Sequence, residues 1–306
     1  MRIELNHVSC IYPTGQATGP ERAQRVEGVA GLVDVTVGVE GRIIGVLGHN
    51  GSGKTTLIRI LAGALPASAG DVLIDGRRPA TGALPFARTG GLRLSFFPQE
   101  LPNFPLAQTP RQTLEHSLLL AGATDEAGRG QMAAHLLDLV GLLPVADRAV
   151  GTFSGGMKQK VRIAQSLVHN PSALILDEPT TGLDVRERLV ILRLLHRLSA
   201  RIPVVFSTHD CLDAAAVCDA VVILSHGRAV ASGSPEALTA QVSGKVWEWW
   251  VSDVDAVQED GVFVTRLHKY AAGVRVRAVA AVRPAGAVEV TPTLEDAYAL
   301  LTQHSP

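Results

Sequence analysis

Cysteine is scarce in this chain of 306 residues: Cys10, Cys211 and Cys218 form an odd set without CxxC spacing. Such a set supports neither a disulfide framework nor a zinc site, and a reducing compartment is the simplest setting for it. Long apolar runs are also missing, although 46% of the residues are hydrophobic and the mean hydropathy is +0.21. "RIIGVLG" and "AVVILS" are strand-sized, far short of the about eighteen residues a membrane helix needs, so a soluble or peripheral chain is expected. The opening "MRIELNHVSC" carries Arg2 and Glu4 and no apolar stretch, which argues against a signal peptide. Charge of one sign is lacking too. A net charge of -1, with basic residues unclustered, excludes a general nucleic-acid binder, because phosphate backbones demand a concentrated basic surface. Internal repeats and low-complexity tracts are absent from the sequence.

What is present is a sequence of alternating buried strands and helices. "RIELNHVSCIY" and "LVDVTVGV" read as strands flanking a Gly/Pro/Gln-rich loop over Pro13 to Gly31. "RIIGVLG" is a buried strand, followed by a glycine loop and a helix from about Gly53 to Ala62. "GDVLIDGR" reads as a hairpin and "LRLSFFPQ" as a strand, and Thr109 to about Pro171 is mostly helical in pattern. Buried strands return in "ALILDEP", "IPVVFSTHD" and "AVVILSHGRAVASG", with a helix over Val185 to Ala200. Apolar strands alternating with helices mark a parallel sheet covered on both faces. The style changes around Ala237, where short strands lead to a terminal helix in "TPTLEDAYALLTQ".

The chemistry concentrates at strand ends. "GHNGSGKTT", Gly48 to Thr56, fits a phosphate loop: Gly48, Asn50, Gly51, Ser52 and Gly53 let backbone N–H groups close around phosphate oxygens. Lys54 reaches the β- and γ-phosphates, and Thr55 offers a hydroxyl to Mg2+, with Thr56 following in the helix. "ALILDEP" ends in Asp177, suited to hold Mg2+, and in Glu178, suited to orient or deprotonate an attacking water. His209 and Gln99 each end a strand; the first could bond a γ-phosphate and the second could sense metal or water, although either fits an ordinary polar residue there. A second anion-holding pattern lies in "FSGGMKQKVRIAQSLV". Ser154, Gly155 and Gly156 open a helix whose free N–H groups and dipole face forward, although Ser154 also suits a plain N-cap.

In order, "GHNGSGKTT", Gln99, "SGGMK", "LILDEP", "TTGLD" and "STHD" resemble the Walker A, Q-loop, signature, Walker B, D-loop and switch-histidine motifs of the ATP-binding cassette (ABC) family. The resemblance spans roughly residues 1–235. It implies an α/β fold: a P-loop NTPase core with a parallel-containing sheet, an antiparallel β subdomain, a helical signature subdomain and a small α+β C-terminal extension. The expected division is 1–236, with the helical part at about 100–171, and 237–306. Two subunits of this family pair head to tail, so the resemblance makes Ser154 and Gly156, with Gly155 between them, contacts to ATP held by the partner. It makes Thr55, Gln99 and Asp177 the Mg2+ set, Glu178 the catalytic base and His209 the γ-phosphate contact. Asp184 would communicate across the dimer, although with Glu187 three residues on it is also a helix cap. Tyr12 would stack on adenine, but stands farther upstream than is usual. "FSGGM" replaces the common Leu-first, Gln-fifth wording, which removes one side-chain contact to the partner's nucleotide.

The resemblance further implies an ATPase that needs a second copy of itself or a homologous cassette subunit, and an integral membrane permease, at the cytoplasmic face of the membrane. "SGGMKQK" and the tail "TPTLEDAYALLTQ" are similar to cassette subunits of bacterial drug and antibiotic exporters. The permease contact is expected around "NFPLAQTPRQTLEHSLL", with Pro102, Phe104 and Leu106 as its apolar residues. The competing readings are a soluble cassette ATPase of translation and an assembly scaffold for iron–sulfur clusters.

Overall fold

The computed structural model describes residues 1–13, 28–79, 86–89, 92–99, 105–123, 125–256 and 261–303. The expected permease contacts Pro102 and Phe104, and most of the Pro13 to Gly31 loop, lie outside the described residues.

A seven-stranded sheet forms the centre. Its strands β3 (Ile43–Leu47), β6 (Leu92–Phe97), β7 (Ala173–Leu176), β8 (Val204–Thr208) and β9 (Ala220–Ser225) run parallel. The antiparallel strands β5 (Phe86–Thr89) and β10 (Arg228–Gly233) close its two edges. Alternation along each strand divides two cores. Ile43 and Leu47 face one apolar cluster together with Leu174, Leu176, Val204, Phe206, Val221 and Ile223. Ile44 and Val46 face the other, together with Ala173, Ile175, Val205, Ala220, Val222 and Leu224. Because side chains point to opposite faces at period two, a strand buried on both sides is mostly apolar, and β3 and β7 are apolar throughout.

The first cluster is covered by helices α4 (Gly155–Ser166), α5 (Val185–Ser199) and α6 (Cys211–Val217), and by α2 (Pro110–Leu120) and α3 (Glu126–Leu139) beyond them. α2 opens on a reciprocal capping box between Thr109 and Gln112, with Pro110 at the first helical position, where its missing N–H costs nothing. The second cluster is covered by α1 (Lys54–Leu61) and by a three-stranded antiparallel sheet of β1 (Arg2–Pro13), β2 (Gly28–Glu40) and β4 (Ala69–Ile74).

Three local readings of the sequence differ from the structure. β2 starts at Gly28, ahead of the expected Leu32, because its backbone pairs with Tyr12 and Pro13 whatever its side chains. "AVVILSHGRAVASG" is a tight hairpin: His226 (φ 48°) and Gly227 (φ 76°) both adopt the left-handed conformation that a two-residue turn requires. α6 and α7 (Pro235–Ala240) were too short to show a helical period. The cysteines are free, as expected, and burial pushes the Cys211 thiol up to about 12.

Beyond α7 a four-stranded antiparallel sheet, β11 (Val246–Val251), β12 (Val262–Tyr270), β13 (Gly273–Ala280) and β14 (Val288–Glu289), carries α8 (Leu294–Gln303) on one face. A polar clamp fixes that helix. Asp296, fully buried, accepts from the Thr265 hydroxyl at 2.7 Å, from the Thr293 N–H and hydroxyl at 2.8 Å each, and from the Arg277 guanidinium at 2.7 Å. Arg277 also donates to Glu248 at 3.0 Å and to the Thr291 carbonyl at 2.6 Å. Burial pushes the Asp296 carboxyl up, but Arg277, Thr265 and Thr293 outweigh it and hold the group below its ordinary 3.8. Since the folded-state pKa is the lower one, the clamp's contribution is full above the ordinary value and is lost as pH falls through the folded-state value. Asp296→Ala strands a buried guanidinium and is expected to lower the unfolding free energy by about 3 kcal/mol in urea denaturation at neutral pH.

Candidate active site

The carboxyl ends of β3, β6, β7 and β8 lie along one edge of the sheet, and each is followed within two residues by one singled out in the sequence: Gly48, Gln99, Asp177 and His209. This is the edge at which open α/β sheets hold ligands.

Between β3 and α1 the chain forms a loop pinned at three points. The Gly48 N–H donates to the Thr208 carbonyl at 3.3 Å, the Ser52 N–H to the His49 carbonyl at 3.1 Å, and the Gly227 N–H to the Ser52 carbonyl at 3.0 Å. Gly53 has φ 99°, and a Cβ there would stand 2.5 Å from the Gly31 carbonyl oxygen, so only glycine fits. It caps α1 without a side chain, leaving first-turn N–H groups unused by side chains. Asn50 and Gly51 are exposed at the tip, whereas Ser52, Lys54 and Thr56 are buried. The Ser52 hydroxyl has no partner among the described residues. Lys54, 4% exposed, directs its ammonium to the His49 carbonyl at 3.1 Å and to Glu178 Oε1 at 3.3 Å. A pinned loop of amides, an unpartnered buried hydroxyl and a buried ammonium fit a polyphosphate.

Both carboxylates are buried. Asp177 Oδ1 accepts from the Ser207 hydroxyl at 2.6 Å and from the Thr55 hydroxyl at 3.3 Å. Burial raises its pKa against the pull of those two hydroxyls. A carboxylate and a hydroxyl oxygen side by side, with the carboxylate penalised for its charge, fit a hard divalent cation such as Mg2+. Glu178 has φ 47°, an uncommon conformation for a non-glycine residue and a mark of local strain. Its Oε2 accepts from Thr181 at 2.6 Å and from the Gln99 amide at 3.4 Å, and lies 3.5 Å from His209 Nδ1. Burial pushes this carboxyl up, but Thr181, Lys54 and His209 together hold it below its ordinary 4.5. The group is therefore an ionised base at neutral pH. Gln99 is turned to Glu178, and the exposed His209 flanks the same oxygen.

The remaining predicted residues fall in two places. The Tyr12 hydroxyl is 3.1 Å from the Thr56 hydroxyl, and its half-buried ring packs against the second core cluster. Ser154 caps α4 by accepting from the Met157 N–H at 3.3 Å, and Asp184 caps α5 by accepting from the Glu187 N–H at 2.8 Å. Gly155 is exposed and Gly156 buried; a Cβ on Gly156 would stand 3.0 Å from Glu187 Cβ, so α4 and α5 touch there through glycine. Among the described residues no hydrogen bond joins Ser154, Gly155 or Gly156 to the loop Gly48 to Thr56.

Sequence reasoning missed Ser207, Thr181 and the pair Arg188–Asp213. Ser207, fully buried, donates to Asp177 and accepts from the Glu178 N–H at 2.8 Å, so one hydroxyl sets both carboxylates. Its signal was a hydroxyl in an otherwise apolar strand. Asp213 accepts from Thr180 at 2.7 Å and from Arg188, which also pairs with Asp210 at 2.5 Å, tying the turn after Glu178 to the start of α6. Ser207→Ala leaves a buried N–H and a buried carboxylate oxygen short of a partner. It is expected to destabilise the protein by about 1–3 kcal/mol in urea denaturation.

The family model described as "ABC transporter" matches residues 33–181. The uncharacterized ABC transporter ATP-binding protein YxlF of Bacillus subtilis (strain 168) is 34% identical over 208 residues, 68% of this chain and 67% of that protein. The molybdenum import ATP-binding protein ModC of Aromatoleum aromaticum is 39% identical, over 72% of this chain and 59% of that protein. Among solved structures, the dimeric MJ0796, a bacterial ABC transporter cassette, has 25% identity and a TM-score of 0.59, covering 76% of this chain and 98% of that one. Fold, loop geometry and relatives agree, and the chain belongs to the ATP-binding subunits of ABC transporters: it is a P-loop ATPase that binds ATP and uses Mg2+ in its hydrolysis.

Proposed function

We propose that this chain pairs head to tail with a second cassette, a copy of itself or a homologous subunit, and powers a separate membrane permease that exports drug-like or lipid-like compounds. The observation that carries the catalytic part is the convergence of Lys54, Gln99, Thr181 and His209 on the carboxylate of Glu178. In this reading Glu178 is the catalytic base: an ionised carboxylate takes the proton of the water that attacks the γ-phosphate. Lys54 and the loop residues Gly48, Asn50, Gly51, Ser52, Gly53, Thr55 and Thr56 hold the phosphates, through the amides not already bonded within the protein and the free Ser52 hydroxyl, and His209 contacts the γ-phosphate. Thr55, Asp177 and Gln99 hold Mg2+, which when bound neutralises phosphate charge. Tyr12, half-buried beside Thr56, supplies an aromatic surface for adenine.

Ser154, Gly155 and Gly156 act on the partner's nucleotide, with Asp184 at the same interface. Support comes from the first turn of α4: it has no bond to its own loop among the described residues, and it keeps N–H groups for an anion in front of it. The chain divides, in this reading, into a cassette over 1–236, with its helical part at about 100–171, and an accessory unit over 237–306.

The permease side is supported by a cleft of about 410 Å³ between β6, α2 and α4, lined by Phe96, Phe97, Leu120, Arg162 and Val168. Leu120, at this cleft, is 75% exposed and offers an apolar side chain to a short helix of a permease. No helix among the described residues is long and apolar enough to cross a membrane, in keeping with a subunit that binds a permease at the cytoplasmic face. Export is favoured by the signature wording and by the tail that forms α8, whereas relatives such as ModC are import proteins by name.

Glu178→Gln is expected to keep ATP binding, to lose about a hundredfold or more of turnover and to accumulate an ATP-bound dimer by size exclusion. Wild-type-like turnover in that variant would remove Glu178 from its role. Lys54→Ala should weaken equilibrium ATP binding about tenfold or more. Tagged Glu178→Gln protein, held with ATP in native membranes and gently solubilised, should co-purify with a polytopic membrane protein, and Leu120→Glu should abolish that recovery while its isolated ATPase persists. Recovery without any membrane protein would refute the transporter reading.

A further inference from the structure

Four residues of the phosphate loop rest on the hairpin of β9 and β10. A Cβ on Gly48 would stand 2.6 Å from the Leu224 carbonyl oxygen and one on Gly53 3.4 Å from the Gly227 Cα, so backbone meets backbone at both ends of the loop. The Gly227 N–H donates to the Ser52 carbonyl at 3.0 Å, and the Gly227 carbonyl accepts from the Val33 N–H of β2 at 2.8 Å. One turn residue thus ties the loop to the antiparallel sheet. The fourth contact is made by side chains. The His226 ring lies 5.3 Å from the His49 ring, with the planes tilted by 59°, a separation and geometry at which aromatic pairs attract. His49 Nδ1 is 2.7 Å from the Asn50 carbonyl; because a carbonyl oxygen only accepts, Nδ1 carries a proton and the ring is oriented by that bond. The His49 carbonyl accepts from the Lys54 ammonium and from the Ser52 N–H, at 3.1 Å each. His226 itself has φ 48° in a two-residue turn where Asn, Asp or Gly is the ordinary choice. Its side chain is exposed, so burial does not account for a ring there, and the contact with His49 is what the ring adds.

We propose that His226 is a positioning residue for nucleotide binding: its ring, carried by the turn between β9 and β10, holds His49, and the His49 carbonyl holds the Lys54 ammonium and the Ser52 amide in the places that phosphate requires. The turn is anchored through the Gly227 backbone, so the loop stays tied to the sheet when the ring is lost, and the ring governs only how well the exposed His49 is ordered. A loop ordered before its ligand arrives gives up less freedom on binding, so the contact acts on affinity. His226 acts on ATP through His49 and has no part in the chemical step. The inference rests on the ATPase assignment alone and is independent of permease and direction.

The test is His226→Asn in the full chain, which keeps a residue suited to the left-handed turn and removes the ring. KM for MgATP is expected to rise about twofold to tenfold, the effect of one aromatic pair, while kcat changes less than KM and the thermal midpoint stays within about 2 °C. The same rise should appear in the Kd of a fluorescent ATP analogue for His226→Asn combined with Glu178→Gln, where turnover does not intervene. A double-mutant cycle separates positioning from turn structure: in a His49→Ala background, where the ring has nothing to hold, His226→Asn should change KM by less than about 1.5-fold. His226→Gly, which also accepts a positive φ, is the companion variant and is expected to behave alike. Unchanged KM and Kd in either folded variant would overturn the proposal. So would a rise of the same size with His49→Ala in place, or a fall of thermal midpoint at constant KM, which would make His226 a turn residue only. Wild-type protein that bound no ATP would instead overturn the ATPase assignment, so the two failures are distinguishable.

Discussion

A buried ammonium paired with one of two adjacent buried carboxylates, at one end of a parallel sheet, constrains the rest of the molecule. Lys54, Asp177 and Glu178 are all under a tenth exposed. Charges taken out of water to that degree need partners, and the local structure reads as a set of devices that supply them. Ser207 and Thr55 serve Asp177, Thr181 and Lys54 serve Glu178, and the His49 carbonyl shares Lys54. The two apolar clusters on either face of the sheet hold the strand ends in register, so these groups stay within hydrogen-bond reach. Asp177 remains the least compensated member, with hydroxyls but no cation bonded to it among the described residues, and that imbalance suits a metal-dependent site.

The same economy of partners bears on the second subunit proposed above. α4 presents a capped but otherwise uncommitted first turn, and Gly156 packs closely on Glu187, so that α4 and the Asp184-capped α5 form one packed body. That body belongs to the helical layer over the first core, while the phosphate loop belongs to the sheet edge. A second helix N-terminus is therefore built apart from the phosphate loop, as the head-to-tail pair proposed above requires.

Much of this was legible in the sequence because it depends on local rules. A strand of unbroken apolar residues, glycines where φ must be positive, and Ser, Thr or Asp ahead of helices each leave a mark at fixed spacing, and β3, β7, β8, α4 and α5 stand where those marks put them. The phosphate loop and the Asp177–Glu178 pair were visible for the same reason. Ser207 was not, since a single serine in a strand gains its meaning only from the two neighbours that cross-strand pairing brings to it. Arg188 and Asp213 pair over 25 positions, and Arg277 meets Glu248 over 29. Nothing in local propensity encodes such encounters. α6 is seven residues long, less than two turns, and fell below the length at which a period can be seen.

Glu178 shows what the site gives up for its geometry. A left-handed glutamate is held at a cost of the order of 1–3 kcal/mol, and the residue is retained in that state by a bond from its own N–H to Ser207 and by its carboxylate contacts. Relaxing the backbone would break the bond from the Glu178 N–H to Ser207, whose hydroxyl in turn makes the shorter of the two hydrogen bonds on Asp177, at 2.6 Å. Strain at Glu178 and orientation of the Asp177 carboxylate are thus one structural fact seen from two residues. A substitution on the β8 side of the site therefore acts on both carboxylates at once, although Ser207 has no place in the phosphate loop or in the turn that carries Glu178.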